Sequence, residues 1–193
     1  TNPNKLREIR PLLSDVALEL VTMADVPPVP EPAETGATFW ANAREKALAY
    51  ARATGHVTVA GDSGLVIDAL GGEPGVRSAR FLGDGASYTE RFAEIYRRLA
   101  SLPGGPHAAH FVTALAVAEG DAIVFETEAR IEGVVAPAPS GANGFGYDPI
   151  FFYPPLDKTT ADMTADEKSA VSHRARAFRD LRRALLTDGV AIL

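Results

Sequence analysis

The feature that most constrains the fold is a pair of long strand patterns, residues 110–118 and 122–134, separated by a turn at residues 119–121. Apolar and charged residues alternate along the second pattern, as at Phe125 and Glu126, which predicts one buried face and one solvated face. Because so short a turn joins antiparallel strands, we expect a hairpin here. Helical patterns occur on both sides of it in the chain, so we expect a layered α/β fold with a mixed sheet.

Helical periodicity is strongest over residues 38–54, where small apolar residues recur every three to four positions. Strands are expected at residues 18–23 and 57–60. Two capping boxes predict the starts of further helices: Ser87 with Glu90, and Thr164 with Glu167. The predicted architecture is a long mixed β-sheet flanked by helices, within a single domain over residues 1–193.

Composition excludes several classes of protein. The 193 residues carry 19 Lys+Arg against 25 Asp+Glu, a net charge of −6, which argues against binding to a nucleic-acid polymer. With no Cys, disulfides, Cys-bound zinc and thiol catalysis are excluded. No apolar run approaches the roughly 18 residues of a membrane-spanning helix, so we expect a cytoplasmic protein with no membrane partner. Since residue 1 is Thr, we expect that further residues precede it.

Two groups of polar residues stand beside predicted helix starts. Asn2, Asn4 and Lys5 open the first helical pattern, where free N–H groups and a lysine would hold phosphate. An ordinary capped surface helix is the alternative. Glu34 follows a proline-rich segment that could hold its carboxylate over a cleft, although a carboxylate before a helix is usually only a cap. Lys46 lies on the helix that follows Glu34.

The sequence Gly61-Asp62-Ser63-Gly64 directly follows the predicted strand at residues 57–60. Ligands bind at strand ends in α/β sheets, and the two glycines allow another group to approach the backbone closely. An aspartate in such a place can bind Mg²⁺, which prefers carboxylate oxygen together with substrate phosphate. The alternative is an ordinary Asp-Ser-Gly turn.

Two further groups lie later in the chain. Phe145 and Tyr147 stand among glycines, and an exposed ring there is a natural stacking partner for a base, unless it only packs the loop. On one continuous helix, Lys168 and His173 would lie about 140° apart. They share a ligand only if the helix breaks near Ser172; otherwise they belong to a solvated basic face.

Taken together and in order, these groups resemble the inosine triphosphatase family, which hydrolyses deaminated purine nucleoside triphosphates (ITP, dITP, XTP). The similarity covers essentially the whole chain and rests on five motifs: Asn-x-x-Lys at 2–5, Glu-Thr-Gly-x-Thr-Phe at 34–39, Asp-Ser-Gly-Leu at 62–65, Gly-Phe-Gly-Tyr-Asp-Pro at 144–149 and Ser-His-Arg at 172–174. The resemblance implies two lobes with the active-site cleft between them, a homodimer, and hydrolysis to the monophosphate and pyrophosphate that cleanses the nucleotide pool.

The resemblance also implies roles for individual residues. Asp62 would be the catalytic base and, with Glu34, a ligand of Mg²⁺. His173 and Arg174 are expected to select the base rather than hold phosphate. The residues that the resemblance places on the substrate are Thr1, Asn2, Asn4, Lys5, Lys46, Ser63, Phe145, Gly146, Tyr147, Asp148, Lys168, His173 and Arg174.

The chain departs from the family pattern in three places. The family opens with a strand before Asn2, and we expect this strand ahead of residue 1. The common Asp-Asp-Ser-Gly begins with Gly61 here, and a glutamate on the long helix is replaced by Ala41. A pyrophosphatase for another base, such as a modified pyrimidine, and a non-catalytic nucleotide-binding regulator remain as alternatives. Retention of Glu34 and Asp62 together with the lysines argues against the regulator.

Overall fold

The computed structural model describes residues 3–187. Its α-helices are α1 (Pro3–Ile9), α2 (Phe39–Thr54), α3 (Tyr88–Leu99), α4 (Ala165–Val171) and α5 (His173–Thr187). Its strands are β1 (Thr58–Ile67), β2 (Ala108–Glu119), β3 (Ala122–Val135), β4 (Phe151–Tyr153) and β5 (Lys158–Thr159). Short 3₁₀ helices occupy Arg10–Leu13, Asp68–Leu70, Gly75–Arg80, Asp148–Ile150 and Pro154–Leu156. Within residues 3–187, no helix combines the length and apolar character needed to cross a membrane.

The strands form one five-stranded antiparallel sheet in the order β1-β2-β3-β4-β5. In its last pairings, Val135 of β3 lies opposite Phe151 of β4, and Tyr153 of β4 lies opposite Lys158 of β5. The predicted α/β class, with a sheet flanked by helices, is confirmed. The parallel pairing that a mixed sheet also contains does not occur among the five described strands.

Local sequence signals account for most of these elements. The predicted hairpin is β2 and β3, and both predicted capping boxes are present, with Ser87 and Thr164 as N-caps. The strand predicted at residues 18–23 is wrong, because that segment is irregular. There Thr22 donates to the Asp25 carboxylate from both its backbone N and its Oγ1, each at 2.8 Å, which closes a turn in place of a strand.

The chain divides into two compact units, and the long strands contribute residues to both. The first unit contains residues 3–62, 113–129 and 173–187 of the described chain. In it the stripe of α2 formed by Ala43, Ala47 and Ala51 packs on three alanines of β2: Ala114, Ala116 and Ala118. Because all six side chains are small, helix and sheet approach closely.

The opposite face of the sheet in the first unit carries larger side chains. Leu115 and Val117 of β2 pack there with Phe178 and Leu181 of α5, and with Leu13. Alternation along β2 therefore assigns each face of this part of the sheet to a different helix layer.

The second unit contains residues 63–112 and 130–172 and has a core of its own. Ile95 and Leu99 of α3 pack there against sheet residues that include Leu65 and Ile67. Phe111 and Phe151, on β2 and β4, lie with their ring centroids 4.6 Å apart. Each unit thus buries its own apolar residues.

Two tyrosines of the second unit give a matched test of hydrogen bonding in this core. The Tyr147 hydroxyl donates to Ser78 O at 2.9 Å, whereas the buried Tyr96 hydroxyl has no hydrogen-bond partner among the described residues. We expect Tyr147→Phe to lower the free energy of unfolding by about 1 kcal/mol, and Tyr96→Phe to leave it unchanged or raise it. Urea denaturation of both variants measures the difference. Equal losses in the two variants would contradict this assignment.

Candidate active site

Helix α2 presents two polar side chains on one face. Asn42 and Lys46 lie one helical turn apart, so they project in the same direction. Thr38 caps the helix by accepting a hydrogen bond from Ala41 N at 3.1 Å, which fixes where its first turn begins. Asn42 is fully buried, whereas 12% of the Lys46 side chain is exposed. The helix therefore brings an amide and an ammonium group to the edge of its alanine stripe.

Asp62 lies on β1 and contacts both of these side chains. Its Oδ2 accepts a hydrogen bond from Asn42 Nδ2 at 2.9 Å, and its Oδ1 lies 3.4 Å from Lys46 Nζ. Lys46 Nζ also lies 2.7 Å from Glu34 Oε1. The structure thus brings the two predicted metal ligands, Glu34 and Asp62, to the same ammonium group, that of Lys46.

The glycine-rich motif around Asp62 lies inside β1 and not after a strand. The prediction of a strand that ends at residue 60 is wrong, because β1 continues to Ile67. The absence of a side chain at Gly61 allows β1 to continue beside β2, because an added Cβ would lie only 2.7 Å from Leu115 Cδ2. Successive strand residues point to opposite faces, so Ser63 points away from the Asp62 face. Substrate contact by Ser63 stays a prediction.

Gly36 joins the Glu34 segment to α2. Its backbone N donates to Asn42 Oδ1 at 2.8 Å. A Cβ at this position would lie 2.6 Å from the same Oδ1 and 2.7 Å from Ala41 Cβ, so a side chain here would displace the amide. Glycine is therefore required at this close approach. Ala41, where the family pattern has a glutamate, brings no carboxylate to this site.

Lys5 of α1 shares the electrostatic surroundings of this group. Burial foremost, and then the positive charges of Arg174 and Lys46, lower the pKa of Lys5 from 10.5 to about 8, against the opposing effect of Asp62 and Glu34. Lys5 therefore lies near both carboxylates and both other cations. We refer to these five residues as the charged cluster. Three lie on helices α1, α2 and α5, one on the irregular segment before α2 and one on β1: Lys5, Lys46, Arg174, Glu34 and Asp62.

Arg174 is held by an ion pair within the first unit. It lies in the first turn of α5, is buried, and pairs through Nη1 with Glu8 Oε2 of α1. The helix breaks near Ser172, which is the condition for Lys168 and His173 to share a ligand. Helix α4 ends at Val171, and Ser172 is extended with φ −63° and ψ 148°. His173, the first residue of α5, is also buried. Selection of the base by His173 and Arg174 stays a prediction.

Three other predicted substrate contacts belong to the start of the chain. Asn4 lies on α1, where its side-chain oxygen accepts a hydrogen bond from Arg7. Thr1 and Asn2 lie outside the described residues, so their predicted contacts with the triphosphate stay predictions.

A second group of predicted site residues lies in the second unit, and we call it the aromatic-loop cluster: Phe145, Gly146, Tyr147, Asp148 and Lys168. Asp148 organises it. Its Oδ2 accepts hydrogen bonds from Phe145 N at 2.7 Å and from Lys168 Nζ at 2.6 Å, and its Oδ1 accepts one from Thr160 Oγ1 at 2.9 Å. Asp148 and Lys168 are both buried, so this is a desolvated ion pair.

The same loop presents an aromatic ring beside a cation. Lys168 Nζ lies 5.3 Å from the centroid of the Phe145 ring, within the range of a cation–π contact. Gly144 has φ +74°, and an added Cβ would overlap the Asp148 carboxylate, so glycine is needed for the loop to turn here. The Tyr147 ring is buried and packs edge-on against Tyr88 with centroids 5.3 Å apart. The Phe145 ring is half-buried, whereas the Tyr147 ring is buried.

Sequence reasoning missed residues that hold these side chains in place. Asn42, Glu8 and Thr160 each contact a predicted site residue, and Gly36 contacts Asn42. None of the four was predicted to touch substrate or metal, although Gly36 and Asn42 belong to the sequence group around Glu34. A signal existed for Asn42, four residues before Lys46, and for Glu8, three residues after Lys5. Among residues 3–187 there is no group of three or more His, Cys, Asp and Glu side chains that could hold a metal ion.

Fold and charged cluster together define an α/β protein whose site combines two carboxylates with several cations, a composition suited to phosphate groups. The model of the Ham1 family matches residues 1–184, and the chain belongs to the Ham1 family.

Relatives and solved structures agree with this assignment. The chain is 42% identical over 180 residues to a dITP/XTP pyrophosphatase of Geobacillus kaustophilus, covering 93% of this chain and 88% of the relative. It is 47% identical over 185 residues to a dITP/XTP pyrophosphatase of Syntrophobacter fumaroxidans, covering 94% and 78%. A HAM1 protein from Coxiella burnetii has a similar structure, with TM-score 0.87, 37% identity, and coverage of 96% of this chain and 94% of that one.

Proposed function

We propose that this chain hydrolyses deaminated purine nucleoside triphosphates, dITP/ITP and XTP/dXTP, to the monophosphate and pyrophosphate. This reaction would keep the altered bases out of DNA and RNA. The observation that carries the proposal is the position of Lys46 between Glu34 and Asp62, with Lys5 close by. Relatives with the name dITP/XTP pyrophosphatase, 42–47% identical over most of the chain, support the same substrate class.

We propose Mg²⁺ as the cofactor, with Glu34 and Asp62 as its protein ligands. The carboxylates of Glu34 and Asp62 both face the Lys46 ammonium, with oxygens 2.7 and 3.4 Å from its Nζ. Carboxylate oxygens are the hard ligands that Mg²⁺ prefers. Two carboxylates suffice, because Mg²⁺ is usually bound by one or two carboxylates together with substrate phosphates and water. Bound Mg²⁺ would offset part of the negative charge of the triphosphate.

Different residues of the chain would then have different roles in hydrolysis. Lys5 and Lys46 would hold phosphate oxygens and stabilise negative charge that develops at the α-phosphorus. Asp62 would orient and deprotonate the water that attacks this phosphorus. The bond from the α-phosphorus to the bridging oxygen then breaks, and pyrophosphate leaves.

For the base, we propose the aromatic-loop cluster. The Phe145 ring, with Lys168 beside it, offers a surface on which a purine can stack. Hypoxanthine and xanthine carry a carbonyl oxygen at C6, whereas adenine carries an amine there. A donor such as Arg174 would pair with the oxygen but face the amine donor to donor, a mismatch of about 1–3 kcal/mol. We further propose that the protein acts in the cytoplasm as a homodimer, as its family resemblance implies.

A substrate profile tests this function. Pyrophosphate and monophosphate release are measured for ITP, XTP, GTP, ATP and a modified pyrimidine triphosphate, with Mg²⁺ and with excess chelator. We expect ITP and XTP to have the highest kcat/KM, and turnover to vanish in chelator and return with Mg²⁺. Preference for the pyrimidine, or nucleotide binding without turnover, would support one of the alternative functions instead.

The same substrate profile for Arg174→Ala tests whether Arg174 selects the base. If it does, the ratio of kcat/KM for ITP to kcat/KM for ATP should be smaller in the variant than in the wild type.

Lys5 gives this activity a predicted pH dependence. Only the protonated amine attracts phosphate, and the free enzyme loses this proton near pH 8 because the pKa of Lys5 is lowered to about 8. We therefore expect kcat/KM for ITP to fall as the pH rises through 8, with a midpoint near the pKa of Lys5 in the free enzyme. In Lys5→Arg the guanidinium stays charged, so this fall should disappear. The same fall in both proteins would assign it to another group.

A further inference from the structure

We infer that Asn42 is a positioning residue for Asp62. The inference rests on the proposed function, since it concerns the carboxylate that would activate water. Asn42 is fully buried on α2 and makes two side-chain hydrogen bonds, one to Asp62 and one to the backbone of Gly36. In the sequence, Asn42 follows the Glu34 motif and stands four residues before Lys46.

The two partners determine which way the Asn42 amide is turned. Gly36 N can only donate, so the Asn42 atom 2.8 Å from it must be the amide oxygen. The amide nitrogen then faces Asp62 Oδ2 at 2.9 Å, and an ionised carboxylate can only accept. The reversed amide would place donor against donor and acceptor against acceptor. Asn42 therefore has one stable orientation.

This orientation assigns different surroundings to the two oxygens of Asp62. Oδ2 is occupied by the Asn42 amide, whereas Oδ1 faces Lys46 Nζ at the longer distance of 3.4 Å. Oδ1 is therefore the oxygen directed toward the charged cluster. Loss of the Asn42 donor would allow the carboxylate to rotate, and the share of molecules with an oxygen correctly placed for water would fall.

Asn42 also connects Asp62 to the segment that carries Glu34. Gly36 follows Glu34 by two residues, and its N–H is held by the same amide that holds Asp62. One buried side chain thus holds both the Asp62 carboxylate and the backbone of the Glu34 segment to α2. Substitution of Asn42 should affect the chemical step more than substrate binding, because Lys5 and Lys46 still attract the triphosphate.

Two substitutions separate the two bonds. Asn42→Asp keeps an acceptor for Gly36 N but removes the donor to Asp62, whereas Asn42→Ala removes both. We expect both variants to lower kcat for ITP about 10- to 100-fold with KM changed less than about threefold, a split typical of a lost transition-state contribution. Hydrogen exchange at the Gly36 amide should stay slow in Asn42→Asp and become fast in Asn42→Ala. This second readout does not depend on activity.

Ala51→Gly is the matched control for a purely structural effect. Ala51 is buried on the same helix but lies in the alanine stripe, away from Asp62. It should lower Tm by several degrees while kcat stays within about twofold of the wild type. If Asn42→Asp does not fold, Gly36→Ala makes the same test, since its Cβ would lie 2.6 Å from Asn42 Oδ1.

The outcomes separate the inference from the proposed function. A wild-type protein that does not release pyrophosphate from ITP would overturn the proposed function. An active wild type with folded Asn42 variants that keep kcat within threefold would overturn only the inference. The inference also fails if kcat falls no more than in Ala51→Gly, or if KM and not kcat carries the change.

Discussion

Asp62→Asn is expected to lower kcat for ITP at least 100-fold, about 2.7 kcal/mol, while the protein stays folded. Asparagine keeps the shape of aspartate but has neither the negative charge nor the basicity that water activation needs. Its oxygen can still accept the hydrogen bond that Asn42 Nδ2 now donates to Asp62 at 2.9 Å. The loss should therefore appear in turnover and not in the fold, which steady-state kinetics and circular dichroism together would show.

Asp121→Asn is the matched control for this substitution. Asp121 lies in the turn of the β2–β3 hairpin, where 84% of its side chain is exposed, and it pairs with Arg52 at 2.5 Å. The same chemical change there should leave kcat within about twofold. If Asp62→Asn folds normally and keeps more than about a tenth of the wild-type rate, a loss below about 1.4 kcal/mol, Asp62 is not the central group.

Asp148→Ala is expected to lower the free energy of unfolding by about 3–5 kcal/mol, because it leaves the buried ammonium of Lys168 without its carboxylate. The 2.6 Å contact between Lys168 Nζ and Asp148 Oδ2 lies in a desolvated site, where 5% of the Asp148 side chain is exposed. Phe145 N would lose its acceptor as well, whereas Thr160 Oγ1 would keep the backbone oxygen of residue 148, which lies 3.1 Å away. Urea denaturation of the variant and the wild type measures the loss.

Thr160→Val and a double variant serve as controls for Asp148→Ala. Thr160→Val removes one neutral donor from Asp148 and should lower the free energy of unfolding by about 1 kcal/mol. Adding Lys168→Met to Asp148→Ala removes the unpaired charge, so the double variant should be more stable than Asp148→Ala alone. An Asp148→Ala loss no larger than that of Thr160→Val would show that the ion pair contributes little.

Much of the fold followed from the sequence because its signals are local. Both capping boxes, at Ser87 and at Thr164, need only residues three positions apart, and both are present. The alanine spacing of α2 and the hairpin turn at residues 119–121 are likewise read from near neighbours. The break at Ser172 could be predicted from the residues around it. Family membership followed from the order of motifs, and it is confirmed.

Only the tertiary structure shows which charged side chains contact one another. Glu34, Lys46 and Asp62 lie on an irregular segment, a helix and a strand, and no local pattern states that one ammonium lies between two carboxylates. The length of β1 could likewise not be predicted from the sequence, because it depends on the close approach of Leu115 of the neighbouring strand to Gly61. Asn42 looked like an ordinary polar position on a helix until its burial was known. A buried polar side chain must find partners, and which partners it finds is determined by packing between distant parts of the chain.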